Sequence, residues 1–167
     1  TLQAKAGKEY HIEILFKQRN ERATLDFDLG KQVEINLNLA VEKVKDADIV
    51  LFAGGISPSL EGEEMPVEVP GFKGGDRTDI ELPAVQRDLL KALKKAGKKV
   101  VFINYSGSAI GLVPESNTCE AILQAWYPGQ AGGTAIVDVL FGDYNPAGRL
   151  PVTFYKNAGQ LPDFEDY

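Results

Sequence analysis

Acidic side chains are concentrated in one segment of this chain, and carboxyl groups can donate and accept protons. The segment between residues 54 and 81 includes one arginine, Arg77, and these acidic residues: Glu61, Glu63, Glu64, Glu68, Asp76 and Asp79. A carboxylic acid that donates a proton near neutral pH needs a raised pKa, which burial or a neighbouring carboxylate can supply. A glutamate on a loop that folds onto a substrate meets that need. On composition alone a solvated acidic surface loop is the commoner interpretation. A catalytic loop and a solvated surface loop both stay open as interpretations.

The pair Asp76-Arg77 follows two glycines in the same segment. A guanidinium beside a carboxylate can hydrogen-bond sugar hydroxyls, or it can hold a loop in place. We expect Asp76 and Arg77 to organise the loop, with contact to a sugar as the alternative.

Glycine-rich stretches at 54–55, 106–108 and 129–133 could each bind a phosphate at the start of a helix. None carries the Lys-Ser/Thr of a P-loop or the full dinucleotide spacing, so a nucleotide- or phosphate-binding module is a weaker alternative. The chain has one histidine, His11, and one cysteine, Cys119, too few for a His/Cys metal site or a disulfide. We expect Cys119 to be a small buried apolar residue. The sequence predicts neither a metal nor a cofactor.

Composition limits the class of protein further. The 167 residues are 44% hydrophobic and 25% charged, with a net charge of −6. That balance is typical of a globular domain and argues against binding to nucleic acid or to an anionic membrane. No apolar run approaches the ~18 residues that a membrane span needs.

The elements that position the acidic segment follow from apolar periodicity. Residues 1–30 alternate with period two and predict a few antiparallel strands, the end of a β-sandwich. Further along the chain, helical spacing alternates with buried apolar runs, and the predicted elements are a helix at 37–44, a strand at 46–55, a helix at 82–96, a strand at 99–104, a strand at 121–126, a helix at 130–140 and a strand at 150–154.

This alternation predicts an α/β layered sandwich with a mostly parallel sheet flanked by helices, preceded by a few antiparallel β-strands. Sites in such sheets form beyond the carboxyl ends of the strands. The segments 54–81, 105–111 and 127–133 should therefore share one rim.

Three stretches together resemble a known family: residues 47–64, 74–93 and 125–154, the last reading AWYPGQAGGTAIVDVLFGDYNPAGRLPVTF. They are similar to the second domain of family 3 glycoside hydrolases, the β-glucosidases and β-xylosidases. The resemblance covers about 37–167. Residues 1–30 resemble the last strands of a β-sandwich inserted into that domain in some members, so the chain reads as a fragment of a larger enzyme.

The resemblance implies a retaining mechanism in which an aspartate of a preceding barrel domain forms a glycosyl-enzyme. A glutamate of the second domain then acts as general acid and base. The segment LEGEE matches the loop that carries it, which implies Glu63, with Glu64 and Glu61 as second choices. In many members this glutamate lies a few residues before the Asp-Arg pair, whereas here it lies 13 residues before Asp76.

The resemblance also implies the partners and the compartment. They are an oligosaccharide or β-glycoside substrate, the barrel domain of the same polypeptide, and a periplasmic or secreted location. The nucleophile has no counterpart here, so the isolated chain is predicted to be inactive. LEGEE resembles the xylosidase type of loop slightly more than the glucosidase type. The remaining alternative is a non-catalytic carbohydrate-binding or scaffold domain.

Overall fold

The computed structural model describes residues 4–17, 34–163 and 165–166. The chain divides into two compact units, Thr1–Glu34 and Ile35–Tyr167. In the first unit, residues 4–17 contain a turn around Gly7 and no strand, although the alternation up to Phe16 predicts one. A strand needs a hydrogen-bonding neighbour to be stable. The strand predicted at 23–29 lies outside the described residues, and the assignment of 1–30 to a β-sandwich stays a prediction.

The second unit alternates helices and strands. Its elements are α1 (Leu37–Lys43), β1 (Ile49–Gly55), β2 (Glu68–Val69), β3 (Phe72–Lys73), β4 (Asp76–Arg77), α2 (Ala84–Lys95), β5 (Lys99–Tyr105), α3 (Val113–Thr118), β6 (Ala121–Gln124), α4 (Gly132–Phe141) and a short 3₁₀ helix (Ala158–Gln160). The predicted α/β class is confirmed.

Two details of the alternating helices and strands differ from the sequence-based expectation. Residues 150–154 form no strand, and most of them are exposed. Pro151 lacks a backbone donor, and none of the strands that the structure describes is hydrogen-bonded to this stretch. Helix α3 was not predicted, because its six residues are too few for an apolar period and include Pro114.

The main sheet is parallel, with the order β1-β5-β6. Ile49 pairs with Lys99 and Gly55 with Tyr105, while Asn104 of β5 pairs with Gln124 of β6. Because the strands are parallel and nearly in register, their carboxyl ends form one rim. The loops that follow them begin side by side, as expected.

Helix α2 covers one face of this sheet with an apolar stripe. Leu90 and Leu93 pack with Val100 and Phe102 of β5 in the buried core. The helix ends in a Schellman motif, in which Gly97 takes a φ of +74° and Lys98 N–H donates to the Leu93 carbonyl at 3.0 Å. This confirms the predicted C-terminal glycine. Cys119 lies in the same core, as expected.

The segment 54–81 is not an open loop. It contains a small antiparallel sheet, β2-β3-β4, with Val69 opposite Phe72 and Phe72 opposite Arg77. Phe72 is buried in the core and anchors this meander to the domain. The meander reverses the chain twice, so residues 74–77 return to the part of the segment that precedes β2. Among the helices that the structure describes, none is long and apolar enough to cross a membrane.

Candidate functional site at the carboxyl rim of the sheet

The meander brings the Asp-Arg pair back beside LEGEE. Met65 N–H donates to the Gly74 carbonyl at 3.0 Å. Gly75 is buried with a φ of +91°, and a Cβ there would overlap the carbonyl oxygen of Gly62. The 13-position spacing from Glu63 to Asp76 is therefore a folded excursion of the chain and does not separate the two residues in space.

Arg77 connects this acidic loop to the rim loop that follows β5. Its Nη1 donates to Ser108 Oγ and to the Ala109 carbonyl, each at 2.8 Å, and its Nε donates to the Asp79 carbonyl at 3.1 Å. Ser108 Oγ in turn lies 2.7 Å from Glu61 Oε1. Arg77 thus hydrogen-bonds across two loops.

Charge around Arg77 supports the same arrangement. Burial lowers the pKa of the guanidinium, and the nearby carboxylates of Glu61, Asp79 and Glu81 oppose that shift. An arginine keeps its charge at any ordinary pH despite such a shift. Its Nη2 is buried and has no hydrogen-bond partner among the described residues. Partial burial next to acidic groups makes Arg77 a fixed cation of the site.

The other predicted residues stay outside this network. Glu63, Glu64 and Asp76 are exposed and hydrogen-bond through their side chains to no other described residue. Glu64 has a φ of +49°, the left-handed region that side chains rarely adopt. Asp76 lies opposite Lys73 in the meander. The structure therefore groups Glu61 with Arg77 and leaves the side chains of Glu63 and Glu64 directed to solvent.

Sequence reasoning missed Ser108. The stretch 106–108 shows no motif beyond its glycine, but its position after β5 on the predicted rim could have marked Ser108 as a site residue. The neighbouring Ser106 is fully buried, and its hydroxyl donates to the Ser108 carbonyl at 3.1 Å. Asn104 and Gln124 are joined across β5 and β6 by a 2.6 Å hydrogen bond. This polar cluster fixes the backbone from which Ser108 extends.

A cavity of 520 Å³ opens beside the site, at the carboxyl ends of β1 and β5. Its lining is mainly apolar and includes Phe52, Gln86, Tyr105 and Tyr127, but none of the acidic candidates. The Tyr127 hydroxyl donates to the Ile56 carbonyl at 2.8 Å, and Trp126 packs edge-on against Phe154. Both aromatic side chains thus have packing roles here.

Within 4–17, 34–163 and 165–166, no group of three or more His, Cys, Asp or Glu side chains is arranged to hold a metal ion. The chemistry of the rim is that of carboxylates, one arginine and hydroxyl groups.

Fold and site together define an α/β domain that presents an anchored acidic loop at the carboxyl rim of a parallel sheet. Residues 2–167 match the model of the glycosyl hydrolase family 3 C-terminal domain, and the chain belongs to that family.

Relatives and solved structures agree with this assignment. The chain is 58% identical to a xylan 1,4-beta-xylosidase of Xylanibacter ruminicola, over 99% of the chain and 19% of that protein. It is 42% identical to a periplasmic beta-glucosidase of Salmonella typhimurium, over 74% of the chain and 15% of the relative. A b-glucosidase structure from Erythrobacter marinus superposes with a TM-score of 0.67 at 40% identity, covering 75% of this chain and 16% of that one. The chain therefore spans less than a fifth of the length of these proteins.

Proposed function

We propose that this chain is part of a retaining β-glycosidase and that Glu63 is its general acid and base. One observation carries the assignment. The backbone of Glu63 is held on both sides, by Gly62 against Gly75 and by Met65 on Gly74, while its side chain is exposed. A proton donor needs this combination, because it must be fixed in position and still reach a substrate.

The competing glutamates are less suited to the role. The Glu61 carboxylate is half-buried and already accepts the Ser108 hydroxyl. Glu64 lies in a left-handed backbone conformation. Glu63 has neither restriction.

The mechanism has two steps. An aspartate of a barrel domain in the same polypeptide attacks the anomeric carbon, and Glu63 protonates the departing glycosidic oxygen. Glu63, now a carboxylate, accepts a proton from water as the water displaces the aspartate, so the configuration at the anomeric carbon is retained. Retention requires the two carboxyl groups to lie about 5–5.5 Å apart, which brings both domains to one pocket. The chain by itself lacks the nucleophile and should be inactive.

The substrate class is a terminal, non-reducing β-linked sugar, with xylose favoured over glucose. The LEGEE segment and the name of the 58% identical relative support xylose. The name of the Salmonella relative supports glucose as the second choice and a periplasmic or secreted location.

The experiment uses the full-length polypeptide that contains this chain, with Glu63→Ala and the control Glu64→Ala. Hydrolysis of phenyl and dinitrophenyl β-xylosides and β-glucosides is measured with and without azide. Glu63→Ala should lower kcat/KM on the phenyl glycoside about 10²–10⁴-fold, the usual contribution of acid–base catalysis, and azide should yield a β-glycosyl azide. Glu64→Ala should resemble wild type. Wild-type activity in Glu63→Ala would refute its role, and a wild-type protein that binds but does not cleave glycosides would favour the scaffold alternative.

A further inference from the structure

Ser108 lies between the two charged residues of the site, and the direction of its hydrogen bonds is determined by chemistry. Arg77 has only donors, so Ser108 Oγ must accept from its Nη1 at 2.8 Å. The single hydroxyl proton is then left for Glu61 Oε1, which is 2.7 Å away and is an acceptor when ionised. The order of donation is therefore Arg77 to Ser108 to Glu61.

The base of this chain of bonds is rigid. Ser108 lies three residues after the end of β5, and its carbonyl accepts the hydroxyl of the fully buried Ser106. Ser106 Oγ accepts in turn from Asn104 Nδ2 at 3.2 Å, and Asn104 is also fully buried. Ser108 thus links the central strand β5 to Glu61, which lies 47 positions earlier in the sequence.

Arg77 does not depend on Ser108 for its own position. It keeps its bonds to the carbonyls of Ala109 and Asp79 when the hydroxyl is removed. Glu61, by contrast, has no other side-chain hydrogen bond to a described residue. Loss of the Ser108 hydroxyl should therefore release the Glu61 side chain selectively.

We propose that Ser108 is a positioning residue for the general acid, acting through Glu61, which lies two residues before Glu63. This inference rests on the proposed function of Glu63. The hydroxyl holds Glu61 against the sheet rim, and Gly62 and Met65 hold the following backbone, so Glu63 is presented at a constant distance from the rim. A displacement of about 1 Å in a catalytic group can reduce a rate about 10²-fold.

The test compares Ser108→Ala, Ser108→Thr and Glu61→Ala in the full-length polypeptide. Ser116→Ala is the matched control, because the exposed Ser116 hydroxyl bonds only the Val113 carbonyl of its own helix. The readout is kcat/KM across aryl glycosides whose leaving groups range from phenol to dinitrophenol. Departure of phenol needs the acid, whereas departure of dinitrophenol hardly does.

Ser108→Ala and Glu61→Ala should each lower kcat/KM about 10- to 100-fold on the phenyl glycoside and much less on the dinitrophenyl glycoside. The double variant should have a kcat/KM no lower than that of either single variant, because each substitution removes the same Ser108–Glu61 hydrogen bond. Ser108→Thr, which keeps a hydroxyl, should recover activity, and Ser116→Ala should match wild type.

An equal loss on all leaving groups, or no loss, would overturn the positioning role. If Glu63→Ala shows the leaving-group dependence and Ser108→Ala does not, this inference fails while the proposed function stands. If neither shows it, the proposed function fails first.

Discussion

The backbone of Gly75 lies directly against the carbonyl oxygen of Gly62, although the meander β2-β3-β4 separates them in sequence. Gly62 precedes Glu63, and Gly75 precedes the Asp76-Arg77 pair. This one contact joins the two segments on which the site depends, and it exists only because Gly75 has no side chain in the way.

Gly75→Ala should disrupt that junction, whereas Gly74→Ala should not. Both glycines have positive φ, +91° and +63°, but a Cβ at Gly74 meets open space. Gly74→Ala should cost about 1 kcal/mol of backbone strain, and Gly75→Ala about 2–5 kcal/mol, since overpacking adds to the strain. Amide hydrogen exchange over residues 60–77 of the full-length variants measures how much each substitution opens this junction. Equal exchange in the two variants would show that the Gly62 contact is not required.

The side chain of Gln86 should stabilise the end of β1. Its Nε2 donates to the Gly55 carbonyl at 2.7 Å and its Oε1 accepts the Gly55 N–H at 2.8 Å, as a neighbouring strand would. Gln86→Leu leaves both backbone groups without a partner, at about 1–3 kcal/mol for each group. Gln86→Glu keeps only the acceptor and should lose less.

Denaturant unfolding of the full-length polypeptide measures the Gln86 series, with the exposed Gln130→Ala as the control. The expected order of stability is wild type, Gln86→Glu, then Gln86→Leu. A Gln86→Leu variant as stable as the control would contradict the bridging role.

The buried ion pair between Arg87 and Glu115 should contribute more than any surface pair. Glu115 is 1% exposed, and its two oxygens accept from Arg87 Nε at 2.7 Å and Nη2 at 3.1 Å. Glu115→Ala leaves a partly buried guanidinium with one carboxylate fewer and should cost about 3–5 kcal/mol.

The control for that pair is Glu42→Ala, which breaks the exposed Glu42–Lys45 pair. Exposed pairs contribute about 0–1 kcal/mol, so unfolding should barely change. Similar losses for the two variants would indicate that burial of Glu115 has little effect.

Cys119 should resist thiol reagents in the folded protein. Burial, followed by the charges of Glu115 and Glu120, raises the pKa of its thiol from 9.0 to about 11. The folded state holds this proton more tightly than the unfolded state. The contribution of this pKa difference to the free energy of unfolding is complete below pH 9 and is lost as the pH rises through about 11.

Alkylation at pH 8, with the modified peptide located by mass spectrometry, tests this expectation. The peptide containing Cys119 should react slowly in the native polypeptide and rapidly in denaturant, because the thiolate is the reactive form. Rapid labelling of the native form would mean that the thiol is accessible and ionised.

Local patterns predicted most of the second unit. The apolar runs of β1 and β5 indicated a parallel sheet, and the stripe of α2 with its terminal Gly97 set a helix boundary to within two residues at each end. The prediction was wrong at 150–154, where alternating apolar residues lack a partner strand. It also missed α3 and the meander, whose elements are too short to generate a period.

The sequence by itself determined the α/β class and the rim on which the loops meet, and its resemblance to the family pointed to the short set of glutamates that includes Glu63. Periodicity and residue type are local properties, and each of these features follows from local properties. Only the tertiary structure decided that Gly75 contacts Gly62 and that Ser108 joins Arg77 to Glu61. Such contacts depend on where the sheet register and the chain reversals place residues that are far apart in sequence. The spacing of residues along the chain does not predict which of these distant residues come into contact.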